Sequence, residues 1–262
     1  MISLRLISRT LLTSLALFYS GLGLSAEPII VEIAAHFETK TYPVGQHLHR
    51  VIKQPTARHW YPWRLQDKQI GKNTPSKTEQ WYLWRQQDKI EIQSRNKKVG
   101  EVWQRLKHKQ VAFSWLYHAK AFAIRYTPSD LKALQTYPDW TTKTSIVSPA
   151  LLERLQKTAD KQVLGYQAEV YRGKIDNYQL EIHWIPAINT PAKIRQTNSK
   201  QTTEVKLIAV YPLAKAPWRP IESDHYDDMD YADIGDNESH PIAKLHMKGM
   251  SLNTIQYQAH GH

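Results

Sequence analysis

Cysteine is absent from this 262-residue chain. That excludes disulfides, thiolate nucleophiles, thiolate metal sites and haem attached through a C-x-x-C-H run. Glycine is scarce at ten residues, which argues against Gly-rich nucleotide loops. There is no G-x-S-x-G elbow, H-E-x-x-H, P-loop or G-x-G-x-x-G. Glu91, Glu101, Glu169 and Glu181 fall on separate expected strands, with nothing to single out an acid–base pair. The chain is therefore read as non-enzymatic and without a cofactor. Acidic residues are also short, 24 against 35 basic ones, for a net charge of +11.

The N-terminus has a different character. Met1 to Arg9 carries Arg5 and Arg9 and no acid, an apolar run follows from Leu11 to Leu24, and Ala26 closes it. This positive, apolar, small-residue order is that of a cleavable signal peptide. An uncleaved anchor is the alternative. The run is shorter than the roughly 20 residues that span a bilayer, and Thr13, Ser14 and Ser20 interrupt it. Residues 1–26 are expected to direct export to the periplasm and to leave no integral membrane span after cleavage. Export also argues against a nucleic-acid partner.

What the chain has in abundance is aromatic residues, with nine Trp and 14 Tyr. Trp81–Trp84, Ile90–Gln93, Val99–Lys107, Val111–Tyr117 and Ala121–Tyr126 read as five strands joined by polar turns, an antiparallel meander. Helices are expected at Ser129–Leu134 and Ser148–Leu155, the second with Ser148 at its N-cap and Pro149 in its first turn. Strands resume at Gly165–Tyr171, Tyr178–Trp184, Ala192–Arg195 and Thr203–Tyr211. Earlier, Pro28–Phe37 reads as the first strand and His47–Ile52 as another. The Pro- and Trp-rich stretch at 38–80 argues against long regular elements. The expected fold is α+β: a strongly twisted, mostly antiparallel sheet, a half-barrel, with a few short helices covering one side. Residues 27–220 would form this domain, and 221–262 an acidic segment with a His-containing tail.

Three groups of residues could carry function. Trp81, Trp84, Trp103 and Trp115, on neighbouring strands, could line a cleft for an apolar or lipid-like ligand, or simply build the core. His47 and His49 share one face of a strand, and His260 and His262 end the chain. Together they could hold copper or zinc, or be incidental. Glu222, Asp224, Asp227, Asp228, Asp230, Asp233, Asp236 and Glu238 form a segment without Lys or Arg. Tyr226, Met229, Tyr231 and Ile234 interleave with these acids, a spacing that suggests an ordered segment lying on the sheet, with docked and free both left open. It could contact an exported protein partner. Its spacing fails the helix–loop–helix calcium pattern, since Ala232 and Asp233 stand where a ligand and Gly are needed.

The order of elements, a signal peptide, a meander, two helices and more strands, resembles the LolA/LolB and LppX-type periplasmic lipoprotein carriers. The run from Gly165 to Tyr171, then Leu180-Glu181-Ile182-His183-Trp184-Ile185-Pro186 and Pro191-Ala192-Lys193-Ile194, is similar to the later strands of such domains. There, one strand ends in a Trp-containing turn and the next begins at a Pro. The likeness covers roughly Glu27 to Tyr211 and carries over no binding residue. It implies an open curved sheet closed by helices, with an apolar concavity for acyl chains. The leading reading is an exported, non-enzymatic binding protein for an apolar ligand. The alternatives are a partner-binding subunit that acts through its acidic segment, and a periplasmic metal-handling protein.

Overall fold

The computed structural model describes residues 30–44, 77–95 and 99–247. The expected signal peptide and the strand expected at His47–Ile52 lie outside them. In chain order the strands are β1 (Ile33–Pro43), β2 (Lys77–Arg85), β3 (Lys89–Ser94), β4 (Val99–Arg105), β5 (Val111–Tyr117) and β6 (Phe122–Tyr126). Helices α1 (Pro128–Ala133), α2 (Trp140–Ser145) and α3 (Pro149–Glu153) follow. Then come β7 (Gln156–Val163), β8 (Tyr166–Ile175), β9 (Tyr178–Ile185), β10 (Thr190–Thr197), β11 (Gln201–Pro212) and β12 (Asp227–Asp230).

All twelve strands join one sheet in the order β12-β6-β5-β4-β3-β2-β1-β11-β10-β9-β8-β7. β12 and β7 are its free ends, so the sheet is open rather than a closed barrel. β1 pairs antiparallel with both β2 and β11, which joins the meander β2–β6 to the meander β7–β11. Only β12 against β6 is parallel among the described pairs.

Period-two alternation sorts the side chains onto two faces. Phe37, Trp81, Leu83, Trp103, Phe113, Ile124, Tyr126, Ile182, Trp184 and Leu207 belong to one large apolar core. Leu131, Ile146, Val147, Leu151 and Leu155, from the helical region, pack into the same core. This is the inner face. Local chemistry sets the helices. Thr127 and Asp130 form a reciprocal capping box at α1, with Pro128 in the first turn. The Asp139 carboxylate accepts the Thr142 N–H at 2.7 Å at the start of α2. Ser148 is the N-cap of α3, as its sequence position implies, but its hydroxyl makes no capping bond.

Arg85 fastens the helical layer to the sheet. It is fully buried. It donates to the carbonyls of Val31 (3.0 Å), Thr144 (2.5 Å), Ile188 (2.5 Å) and Asn189 (3.0 Å), and to Thr190 Oγ1 (3.1 Å). One side chain thus ties β2 to α2 and to the β9–β10 connection.

After β11 the chain crosses the outer face. Trp218 lies 5.4 Å from Tyr82 and 6.0 Å from His36, ring centre to ring centre. Tyr226 is buried with Leu116 and Ala123, and its hydroxyl meets His118 Nδ1 at 2.9 Å. β12 then runs along the β6 edge, where Arg125 pairs with Asp228 at 2.9 Å. Beyond the edge, Tyr231 stacks on Tyr126 at 4.5 Å, and Ile234, Ile242 and Ala243 enter the inner core. Residues 213–247 are therefore a strap that starts on the outer face and ends on the inner one. Replacing Tyr226 with Ala removes the strap's buried aromatic anchor. The expected loss is about 3 kcal/mol, with faster proteolytic cleavage inside 213–230. Chemical denaturation and timed proteolysis of the variant measure both.

Candidate functional site

Register decides which tryptophans can act together. Trp81 and Trp84 are three residues apart, so they point to opposite faces of β2. Trp81, Trp103 and Trp115 belong to the inner face, whereas Trp84 packs with Ala34 and Ala216 on the outer one.

On the inner face the rings are already engaged. Trp81 stacks on Phe37 at 4.3 Å, and its Nε1 donates to Thr39 Oγ1 at 2.9 Å. Trp103 stacks on Phe113 at 4.2 Å, and the Lys143 ammonium of α2 sits 3.5 Å from its ring centre. Trp103 Nε1 donates to Glu101 Oε2 at 3.1 Å. Glu101 and Trp115 are cross-strand neighbours. Lys143, Trp103 and Glu101 thus make a charged cluster set into an aromatic surface. Burial pulls the Lys143 ammonium down to about 8 against the pull of Glu101. Burial also pushes Glu101 up, opposed by Lys143 and by the Trp103 hydrogen bond.

Beside it lies a second polar group. His246, in the helical stretch 241–247, is buried. Its Nδ1 meets the Tyr117 hydroxyl at 2.7 Å, and its Nε2 meets the Tyr126 hydroxyl. Burial drives His246 down to about 4 and Tyr117 up to about 12. The imidazole is therefore neutral at pH 7, with one nitrogen accepting and the other donating.

The outer face carries a cleft of about 240 Å³ between β2–β3 and the strap, lined by Trp84, Gln86, Lys89, Glu91, Leu213, Arg219 and Pro220. Beyond the strap, this face over β8–β11 is a ladder of paired charges. Burial works to raise the Glu181 carboxyl, but Arg172, Lys193 and His183 hold it down at about 2. Arg172 and Lys193 are thus paired across strands, Arg172 with Glu181 and Lys193 with Glu181 and Glu204.

His47, His49, His260 and His262 lie outside the described residues. Among the described residues, no three or more of His, Asp and Glu gather as a metal site. All eight acids of the acidic segment are exposed, while Tyr226 and Ile234 between them are buried. Lys143, Glu101, Arg85 and His246 were not singled out from the sequence as a site. The parity of β2 and β4 does give part of the signal: Arg85 alternates with Trp81 and Leu83, and Glu101 with Trp103, so both charges had to face the core.

No family model and no curated protein matches this chain. Solved structures similar to it include PNGF-II, at 9% identity and a TM-score of 0.38, covering 79% of this chain and 33% of that one. The chain thus spans about a third of PNGF-II's length. The MucA/MucB complex of Pseudomonas aeruginosa matches at 12% identity and a TM-score of 0.34, covering 73% of this chain and 53% of the other. An outer membrane lipoprotein-sorting protein domain from Vibrio parahaemolyticus matches at 8% identity and a TM-score of 0.29, covering 71% and 87%. A lipoprotein-sorting domain thus stands among the similar structures, in line with the order of elements.

Proposed function

We propose that this chain is an exported, non-enzymatic binding protein that takes an amphiphile with an anionic head between its inner sheet face and its helices. The observation that carries this reading is the Lys143–Trp103–Glu101 cluster. A lysine and a carboxylate set into an aromatic face contribute little net stability, because desolvation offsets their attraction. They are well suited to a ligand whose acyl chain lies among Trp103, Trp115 and Phe113 while its anionic head pairs with Lys143. The helices that cover this face are short: α1, α2 and α3 are 6, 6 and 5 residues long. Trp140 on α2 leaves its buried indole N–H without a partner. Trp81 and Trp84 would then act as supports, one on each face.

The acidic strap supports a second reading, a docking surface for a basic exported protein, because its carboxylates all face outward while its apolar residues hold it down. One experiment separates the two. The protein is purified from its own cell envelope and weighed by native mass spectrometry, and laurate binding is followed by tryptophan quenching. The amphiphile reading expects a co-purified lipid or acyl molecule, and laurate binding about tenfold weaker in Lys143→Gln. A mass without any lipid or acyl molecule, together with no laurate binding, overturns it. A retained basic protein in that case selects the strap, and a retained metal ion selects metal handling through His47, His49, His260 and His262.

A further inference from the structure

Five buried side-chain atoms among the described residues have no hydrogen-bond partner: His36 Nε2, Glu91 Oε1, His118 Nε2, Trp140 Nε1 and Trp218 Nε1. Four of them lie where the strap meets the outer face. His36 and Trp218 are ring neighbours there, His118 bonds the strap's Tyr226, and Glu91 lines the cleft with Arg219 and Pro220. Native proteins leave few such atoms unpaired, and each one calls for an explanation.

Glu91 is the most demanding of the four. It is 4% exposed, and it sits directly across from Trp84 in the β2–β3 register. Its Oε2 is met by Lys89 Nζ at 3.2 Å, which leaves Oε1, a buried atom of a residue that lines the cleft, as an acceptor without a partner. The other charged groups at the rim do not fill it. Arg219 donates to the carbonyls of Leu213 (3.1 Å) and Ala214 (3.4 Å), and Asp224 on the strap is an exposed carboxylate.

We infer that this cleft binds a small primary amine, whose ammonium donates to Glu91 Oε1 and whose apolar part lies against Trp84, Leu213 and Pro220. The open valence is an acceptor, so the ligand must be a donor. The two cations that line the cleft are already engaged, Lys89 with Glu91 Oε2 and Arg219 with the carbonyls of Leu213 and Ala214. A charge-assisted hydrogen bond is about twice as strong as a neutral one, which favours an ammonium over a hydroxyl. Burial holds the Glu91 carboxyl above its ordinary range, opposed by Lys89 and reinforced by Asp224, so a cation there gains by restoring the carboxylate. This site is on the opposite side of the sheet from the amphiphile site and stands or falls separately.

The test uses phenethylamine as probe and its neutral isostere 2-phenylethanol as control, on the full mature protein at neutral pH. Tryptophan indole N–H resonances are the readout, assigned by single Trp→Phe variants. Millimolar phenethylamine is expected to shift Trp84 and Trp218 and to leave Trp81 and Trp103 in place. The alcohol is expected to bind about tenfold more weakly, as is the amine to Glu91→Gln. Unmoved Trp84, equal binding of amine and alcohol, or undiminished binding by a folded Glu91→Gln would each overturn the inference. If that variant does not fold, the comparison of amine with alcohol on the unmodified protein decides.

Discussion

Arg85→Met is expected to destabilise the protein by about 4 kcal/mol, which for a chain of this size lowers Tm by about 10 °C. Arg85 is 0% exposed, and no carboxylate among the described residues offsets its burial. Burial pulls its guanidinium from 12.5 to about 10, so it still carries its charge at neutral pH. That charge is solvated by oxygens of the fold itself: the carbonyls of Val31, Thr144, Ile188 and Asn189 and the Thr190 hydroxyl. Methionine fills the volume but leaves these acceptors without a donor, and each orphan buried acceptor costs about 1–3 kcal/mol. Arg85→Lys is expected to recover little, because a single ammonium with three donors cannot reach acceptors spread around a planar fork. Urea denaturation of both variants measures the difference. A loss below about 1 kcal/mol in Arg85→Met would show that the helix layer is held by its apolar contacts alone.

The second large effect is a loss of stability in acid that depends on His246. Its ordinary value is 6.5 and burial lowers it to about 4. The unfolded chain takes up the proton first. The contribution of the neutral, bonded imidazole is therefore complete above pH 6.5 and is lost as pH falls towards 4. The full window is worth on the order of 3 kcal/mol. Burial lowers His36, His118 and His183 in the same direction. Glu91 and Glu101 act oppositely, because their raised values favour the fold as they protonate. The informative quantity is thus the difference between the unmodified protein and His246→Gln, which can still bond Tyr117 or Tyr126. The variant is expected to be weaker at pH 7.5 and to have a flatter stability profile between pH 7 and 4.5. Parallel profiles would remove His246 from the account.

The five strands read between Trp81 and Tyr126 are β2 to β6, because their alternation is a direct record of a half-buried surface. Capping chemistry at Ser148-Pro149 and the apolar residues after it placed α3 for the same local reason. β7 was missed because Gln156–Val163 is exposed along nearly its whole length. It carries no alternation, and is a strand only because β8 offers it an edge. β12 was missed because Asp227–Asp230 has a composition that strands avoid. It is held by the β6 edge and by Tyr226 on one side of it and Tyr231 on the other. Helix α2 was missed because Trp140–Ser145 carries no apolar stripe; its start is fixed by Asp139 and its C-terminal end by the carbonyl that Thr144 gives to Arg85.

By itself, then, the sequence determined the antiparallel meander between Trp81 and Tyr126 and the short helices that follow it. Each of these follows from periodicity or from contacts a few residues apart. Spacing along β2 already separates Trp84 from Trp81, and tertiary structure alone decided that Trp103 and Trp115 share the face of Trp81. It brought Lys143 from α2 onto Trp103 of β4, and it carried His246 from the far end of the strap between Tyr117 and Tyr126. The physical reason is that a charged or polar residue is placed by whatever partner can solvate it after burial. For Arg85, Lys143, Glu91 and His246 those partners are supplied by strands, helices and loops far away in the chain, and no local pattern records them.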